Sequence, residues 1–166
     1  NLKQAAKTMN FLTEHGISNY GELESKLTAL SARRDTSHAE IKRIESRSTE
    51  LTLVMKHAGT YRQLKPIYDR YRKSNDKEKF LRGHESEIIL FEAAARELKR
   101  LGAVPLPTTE SMKTELANLN AEKERLLAEY KAARTEAQEY DTVKQNVDAL
   151  LTVPKEQEQQ RRHELE

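Results

Sequence analysis

Apolar residues recur along this chain in alternating three- and four-residue steps. From Tyr20 the steps land on Leu23, Leu27, Leu30, Arg34, Ser37, Ile41, Ile44, Ser48, Leu51, Met55 and Ala58. A second run passes through Met112, Leu116, Leu119, Lys123, Leu126, Tyr130, Ala133, Ala137, Tyr140, Lys144, Val147 and Leu151. A 3.5-residue period keeps an apolar stripe turned toward a partner helix along the whole length of both. The pattern predicts an all-α structure: an elongated antiparallel coiled-coil helical hairpin with additional helices packed on it. Such a structure encloses little volume and offers no obvious place for a catalytic pocket.

Helix start and stop signals set the predicted bounds at about 2–15, 19–74, 76–101 and 109–151. The first helix carries Leu2, Ala5, Ala6, Met9 and Leu12 on one face and ends at Gly16, which accepts the left-handed conformation and lets Ile17 fold back onto Leu12. Asn19 and Glu22 stand at capping-box spacing ahead of the second helix. Gly59 breaks the seam's rhythm, which restarts at Tyr61, Leu64, Tyr68 and Tyr71, and Pro66 is expected to bend this helix without ending it. Ser74-Asn75-Asp76 reads as a turn and cap. Gly83-His84 is a candidate interruption in the third helix, whose apolar residues are broad enough to touch two neighbours. Gly102 closes it, Val104-Pro105-Leu106-Pro107 is an extended connector, and Thr108 or Thr109 caps the last helix. That helix is expected to stop before Pro154. Residues 1–154 then form one helical module, and the charged segment 155–166 is either a disordered tail or a solvated helix.

Composition agrees with thin packing. Aromatic residues make up 5% of the 166 residues and charged residues 34%, a balance suited to two or three helices and not to a thick core. The absence of cysteine excludes disulfides and thiolate metal sites and fits a cytoplasmic setting. No apolar run approaches the roughly 20 residues that span a bilayer. The chain starts at Asn1 with a helix already under way, which reads as a piece of a longer protein.

The net charge of +2 is spread unevenly. Residues 1–74 carry 14 Lys/Arg against 8 Asp/Glu, residues 75–104 carry 6 of each, and residues 105–166 carry 9 against 13. A basic helix lying beside an acidic one accounts for this. So does a basic half that faces nucleic acid.

Candidate chemistry is sparse. The histidines at 15, 38, 57, 84 and 163 lie too far apart to form a helical metal pair. There is no phosphate-cradling glycine loop and no nucleophile elbow. Glu122, Glu124 and Glu129, interspersed with Lys123 and Arg125, read as a solvated face. No catalytic residue, metal site or cofactor is predicted. The one suggestive stretch is 61–73, where Arg62, Lys65, Arg70, Arg72 and Lys73 interleave with Tyr61, Tyr68 and Tyr71. Cations for phosphates and flat rings for bases are what a single strand needs, and these five cations with Tyr68 are the candidate nucleic-acid contacts. The tyrosines also fall at helical spacing, so they equally suit packing against Phe80 and Phe91. The seam's polar positions, Arg34, Ser37, Ser48, Lys123 and Lys144, either set register or loosen the packing, with the long cations snorkelling outward.

The run from Leu2 through Ile17, followed by Tyr20 and Glu22-Leu23-Glu24, is the first part of a wider likeness. Tyr71-Arg72-Lys73, Lys79-Phe80-Leu81, His84–Ile88, Ala93-Ala94, Leu106-Pro107-Thr108 and Glu129–Arg134 belong to it as well. Together they resemble the helical C-terminal region of relaxase/mobilisation nucleases from conjugative and mobilisable elements of Gram-positive bacteria, over essentially all of residues 1–151. The resemblance implies a non-catalytic region downstream of a strand-nicking nuclease domain, none of whose catalytic tyrosine or histidine cluster carries over to this chain. Its implied partners are DNA, relaxosome accessory or coupling proteins, and a second copy in a homodimer; the basic stretch itself predicts weak DNA binding that favours single strands if a tyrosine is free to stack. The other reading is a protein-interaction or dimerisation coiled coil with no DNA affinity of its own.

Overall fold

The computed structural model describes residues 1–165, without the side chains of residues 153–158. Four helices follow in chain order: α1 (Leu2–Glu14), α2 (Tyr20–Lys73), α3 (Lys77–Arg100) and α4 (Thr109–Glu164). Among the described residues there is no strand, so the fold is all-α as the periodicity predicts. Two compact units are formed, Asn1–Glu40 with Arg125–Glu166, and Ile41–Glu124. Both long helices contribute a stretch to each.

In the first unit α2 and α4 pair antiparallel. Tyr20 donates its hydroxyl hydrogen to Asp148 Oδ1 at 2.6 Å, and the His38 and Tyr130 rings lie 5.7 Å apart, so position rises on one helix as it falls on the other. The seam residues Leu23, Leu30, Ala137 and Tyr140 are buried here together with Val143. α1 closes over this cluster through Phe11 and Leu12, with the Phe11 ring edge-on to Tyr140 at 5.1 Å. Gln4 donates to Asn146 Oδ1 at 2.9 Å and ties the start of α1 to α4.

The face that α1 buries differs from the expected one. Leu2 is 92% exposed and Met9 58%, whereas Thr8 is buried. Thr8 is tolerated inside because its hydroxyl donates to the Gln4 carbonyl at 3.0 Å, which satisfies the polar group within its own helix.

In the second unit the pairing is again antiparallel, with Lys123 Nζ 3.5 Å from Glu45 and Arg47 on Glu115. Ile41, Ile44, Leu51, Val54 and Ala58 of α2 are buried, as are Met112 and Leu119 of α4, and α3 adds Ile88, Phe91, Ala94 and Leu98 to the core. The basic and acidic helices thus lie side by side with complementary flanking charges. The cations within the seam reach outward: Lys123 to Glu45, Lys144 to Asp148 at 3.4 Å, and Arg34 to Asp35 at 3.1 Å. Ser37 is buried in its seam position.

The helix ends follow the local signals closely. Gly16 and Gly102 have φ of 67° and 71°, and each closes a helix with the same pair of bonds. Ile17 N–H donates to Leu12 O and Ala103 N–H to Leu98 O, both at 2.9 Å, while each glycine N–H donates to the carbonyl three residues back. Asn19 accepts from Glu22 N–H at 2.9 Å, and Glu22 in return accepts from Ser18 N–H at 2.7 Å. Asp76 caps α3 on Lys79 N–H, and Thr108, not Thr109, caps α4 on Ser111 N–H. Pro66 lies inside a continuous α2, and His84 breaks the regular geometry of α3 at φ −136°, ψ 24°.

α4 extends beyond its expected end near Leu151. Its last turn, with Arg161, Arg162 and His163 at the negative end of the helix dipole, favours continuation. The stop expected before Pro154 is therefore not seen, and of the predicted tail 155–166 only residue 166 lies outside the described residues.

Candidate nucleic-acid interface

The predicted basic stretch closes α2 in the second unit, where Ser74-Asn75-Asp76 turns the chain into α3. Tyr61, Leu64, Tyr68 and Tyr71 follow one another at helical spacing, and all four are half-buried. Their partners come from α3. Tyr61 and Tyr68 both stack on Phe91, with centroids at 4.7 and 4.3 Å. Tyr71 lies 6.2 Å from Phe80, and Phe80 stacks on His84 at 4.5 Å. The aromatic residues therefore form a ladder between α2 and α3, each ring packed against another ring. Tyr68, named from sequence as a base-stacking candidate, is one rung.

The kink at His84 places this ring at the ladder's end. Its Nδ1 is buried without a hydrogen-bond partner among the described residues, and the nearest carboxylate oxygen, on Glu87, is 3.6 Å away.

The five candidate cations are all exposed, yet they differ in what they touch. Arg62 donates to Thr109 Oγ1 at 2.8 Å and to the Pro107 carbonyl, which pins the connector between α3 and α4 against α2. Lys65 pairs with Asp69 at 2.8 Å, and that bond raises the ammonium pKa. Arg70 lies over the Phe80 ring, with its guanidinium carbon 5.6 Å from the centroid. Arg72 has its pKa raised, chiefly by a hydrogen bond to the Tyr68 hydroxyl. Lys73 is exposed at the end of α2.

Lys77, Lys79 and Arg82, outside the predicted stretch, are exposed on the first turns of α3. The signal was there: residues 70–82 hold six cations, Arg70, Arg72, Lys73, Lys77, Lys79 and Arg82, against Asp76 and Glu78. Beyond Lys73 the only aromatic residue interleaved with these cations is Phe80. Asp76 is occupied as the α3 cap, so its carboxylate is turned to the backbone.

Among the described residues no three His, Asp or Glu side chains are grouped to hold a metal ion. No helix among them is long and apolar enough to cross a membrane. No protein-family model, curated protein or solved structure matches the chain.

Proposed function

We propose that this chain is a non-catalytic helical accessory region of a DNA relaxase that acts in plasmid or transposon mobilisation. Its role is to assist DNA binding or relaxosome assembly in the bacterial cytoplasm. Two things support the reading: the resemblance of residues 1–151 to the helical region of such relaxases, and the exposed cations gathered where α2 turns into α3. The second carries the DNA role, because net local charge without a pocket suits a polyanion better than a small ligand. With a whole-chain charge of only +2, the attraction is local and falls steeply with salt.

The test is fluorescence anisotropy of the intact chain with labelled DNA at low salt, for the wild type and for a variant with Arg62, Lys65, Arg70, Arg72 and Lys73 changed to Gln. The reading expects weak, poorly sequence-specific binding that the variant weakens. A wild-type chain with no affinity for DNA sinks the DNA role.

A second reading, a protein-interaction or dimerisation coiled coil, draws on a different observation. In the first unit Met9, Leu12, Ile17, Val147 and Leu151 line an open groove of about 300 Å³, and Leu151 is 59% exposed. Exposed apolar side chains grouped in this way suit a protein partner or a second copy. Sedimentation equilibrium of the wild type and of Leu151→Lys separates the two: loss of a dimer in the variant favours the interaction reading.

A further inference from the structure

Resting on the DNA reading above, we infer that the nucleic acid is duplex DNA held by its phosphates, and that the contacts are Lys73, Lys77, Lys79 and Arg82. The aromatic ladder argues first. A protein that holds a single strand does so largely by stacking bases on free ring faces. Here Tyr61 and Tyr68 stack on Phe91 and Phe80 stacks on His84, so the rings serve the fold. Cations are what the surface has left to offer.

Those cations are not equally available. Arg62, Lys65, Arg70 and Arg72 each already touch a partner within the chain. Lys73, Lys77, Lys79 and Arg82 are exposed, and Lys77 to Arg82 spans about 7.5 Å of α3 at 1.5 Å per residue. A set of point charges without stacking gains most where phosphates are densest. Duplex DNA carries one charge per roughly 1.7 Å of axis, and each contact contributes about 0.9 to the salt slope against about 0.7 on a single strand. The duplex is therefore the better ligand, and contacts confined to its phosphates bind it without regard to sequence.

The experiment compares anisotropy titrations of the intact chain with one duplex and with its separated strands, across a salt series. The variant Lys73→Gln/Lys77→Gln/Lys79→Gln/Arg82→Gln is measured beside a control, Lys131→Gln/Arg134→Gln, which removes two exposed cations of α4. All four turn residues are exposed, and circular dichroism verifies that the helices are retained. The expected result is tighter binding of the duplex than of either strand, lowered about tenfold or more in the turn variant, with the salt slope reduced by roughly 3.6. The α4 control keeps wild-type affinity. Tighter binding of a single strand, or undiminished duplex binding by the turn variant, overturns this inference while leaving the DNA reading intact. Failure to bind either form overturns both.

Discussion

Arg47 holds the Glu115 carboxylate through two parallel hydrogen bonds, from Nε at 2.7 Å and from Nη2 at 3.0 Å, and thereby fixes the register of α2 against α4 in the second unit. Arg47 also reaches Glu50 on its own helix at 3.2 Å. Both side chains of the Arg47–Glu115 pair are 40% exposed, so solvent screens it.

Replacing Glu115 with Gln is expected to lower stability by roughly 0.5–1 kcal/mol at neutral pH, read from urea midpoints. The hydrogen bond to Arg47 holds the Glu115 carboxyl below its ordinary value of 4.5. A carboxyl with a lowered folded-state pKa stabilises the fold fully above its unfolded value and loses that contribution as pH falls through the folded one. The gap between wild type and Glu115→Gln should therefore be complete above about pH 4.5 and close below it. A gap that widens on acidification contradicts this account. Asp148, held below its ordinary 3.8 chiefly by the Tyr20 hydroxyl, should titrate in the same direction.

The seam sets a second expectation. Ile44 and Ala133 are fully buried, one on each long helix. Ile44→Ala removes packed methylenes and should cost about 2–5 kcal/mol. Ala133→Leu forces extra volume into a close approach and should cost about 1–3 kcal/mol. Thermal unfolding followed by circular dichroism checks both, and tolerance of Ala133→Leu would mean that the helices do not meet there.

Two glycines should respond with opposite signs. Gly102 sits at φ 71°, so Gly102→Ala meets left-handed strain of roughly 1–2 kcal/mol. Gly59 lies within α2, and a Cβ there meets nothing within 4 Å. Gly59→Ala should raise stability by about 0.5–1 kcal/mol through helix propensity and reduced unfolded-state entropy. Equal effects at the two positions would discredit the capping assignment.

These contrasts show what the sequence holds. The seam was legible because period and burial are the same fact seen twice: Leu23, Leu30, Ile41, Ile44, Leu51 and Ala58 were predicted inward and are buried. The caps were legible because Asn19, Gly16 and Gly102 act within a few residues of themselves. The buried face of α1 was not. Its apolar residues cover a broad arc, and which part meets α2 and α4 is decided by Phe11 on Tyr140 and Gln4 on Asn146, contacts more than a hundred residues apart. The candidate interface was half legible for the same reason. Charge at 62–73 is local information, whereas the bond from Arg62 to the connector and the stacking of Tyr68 on Phe91 depend on where α3 and α4 return.

The ladder carries a prediction that separates structure from binding. Phe91 is buried under Tyr61 and Tyr68, so Phe91→Ala should cost about 3–5 kcal/mol. Tyr68→Phe keeps the stacked ring and removes only the hydroxyl beside Arg72. Its DNA affinity should stay within about twofold of wild type if the rings serve packing and not bases. A large loss of affinity in a folded Tyr68→Phe chain would return Tyr68 to the interface.

The central claim is that DNA meets this chain where α2 turns into α3. Hydrogen–deuterium exchange of the intact chain, with and without a short duplex at low salt, tests it most directly. The account predicts added protection over residues 70–82 and little change elsewhere. Unchanged exchange at that turn, or protection confined to residues 9–17 and 147–151, would contradict it.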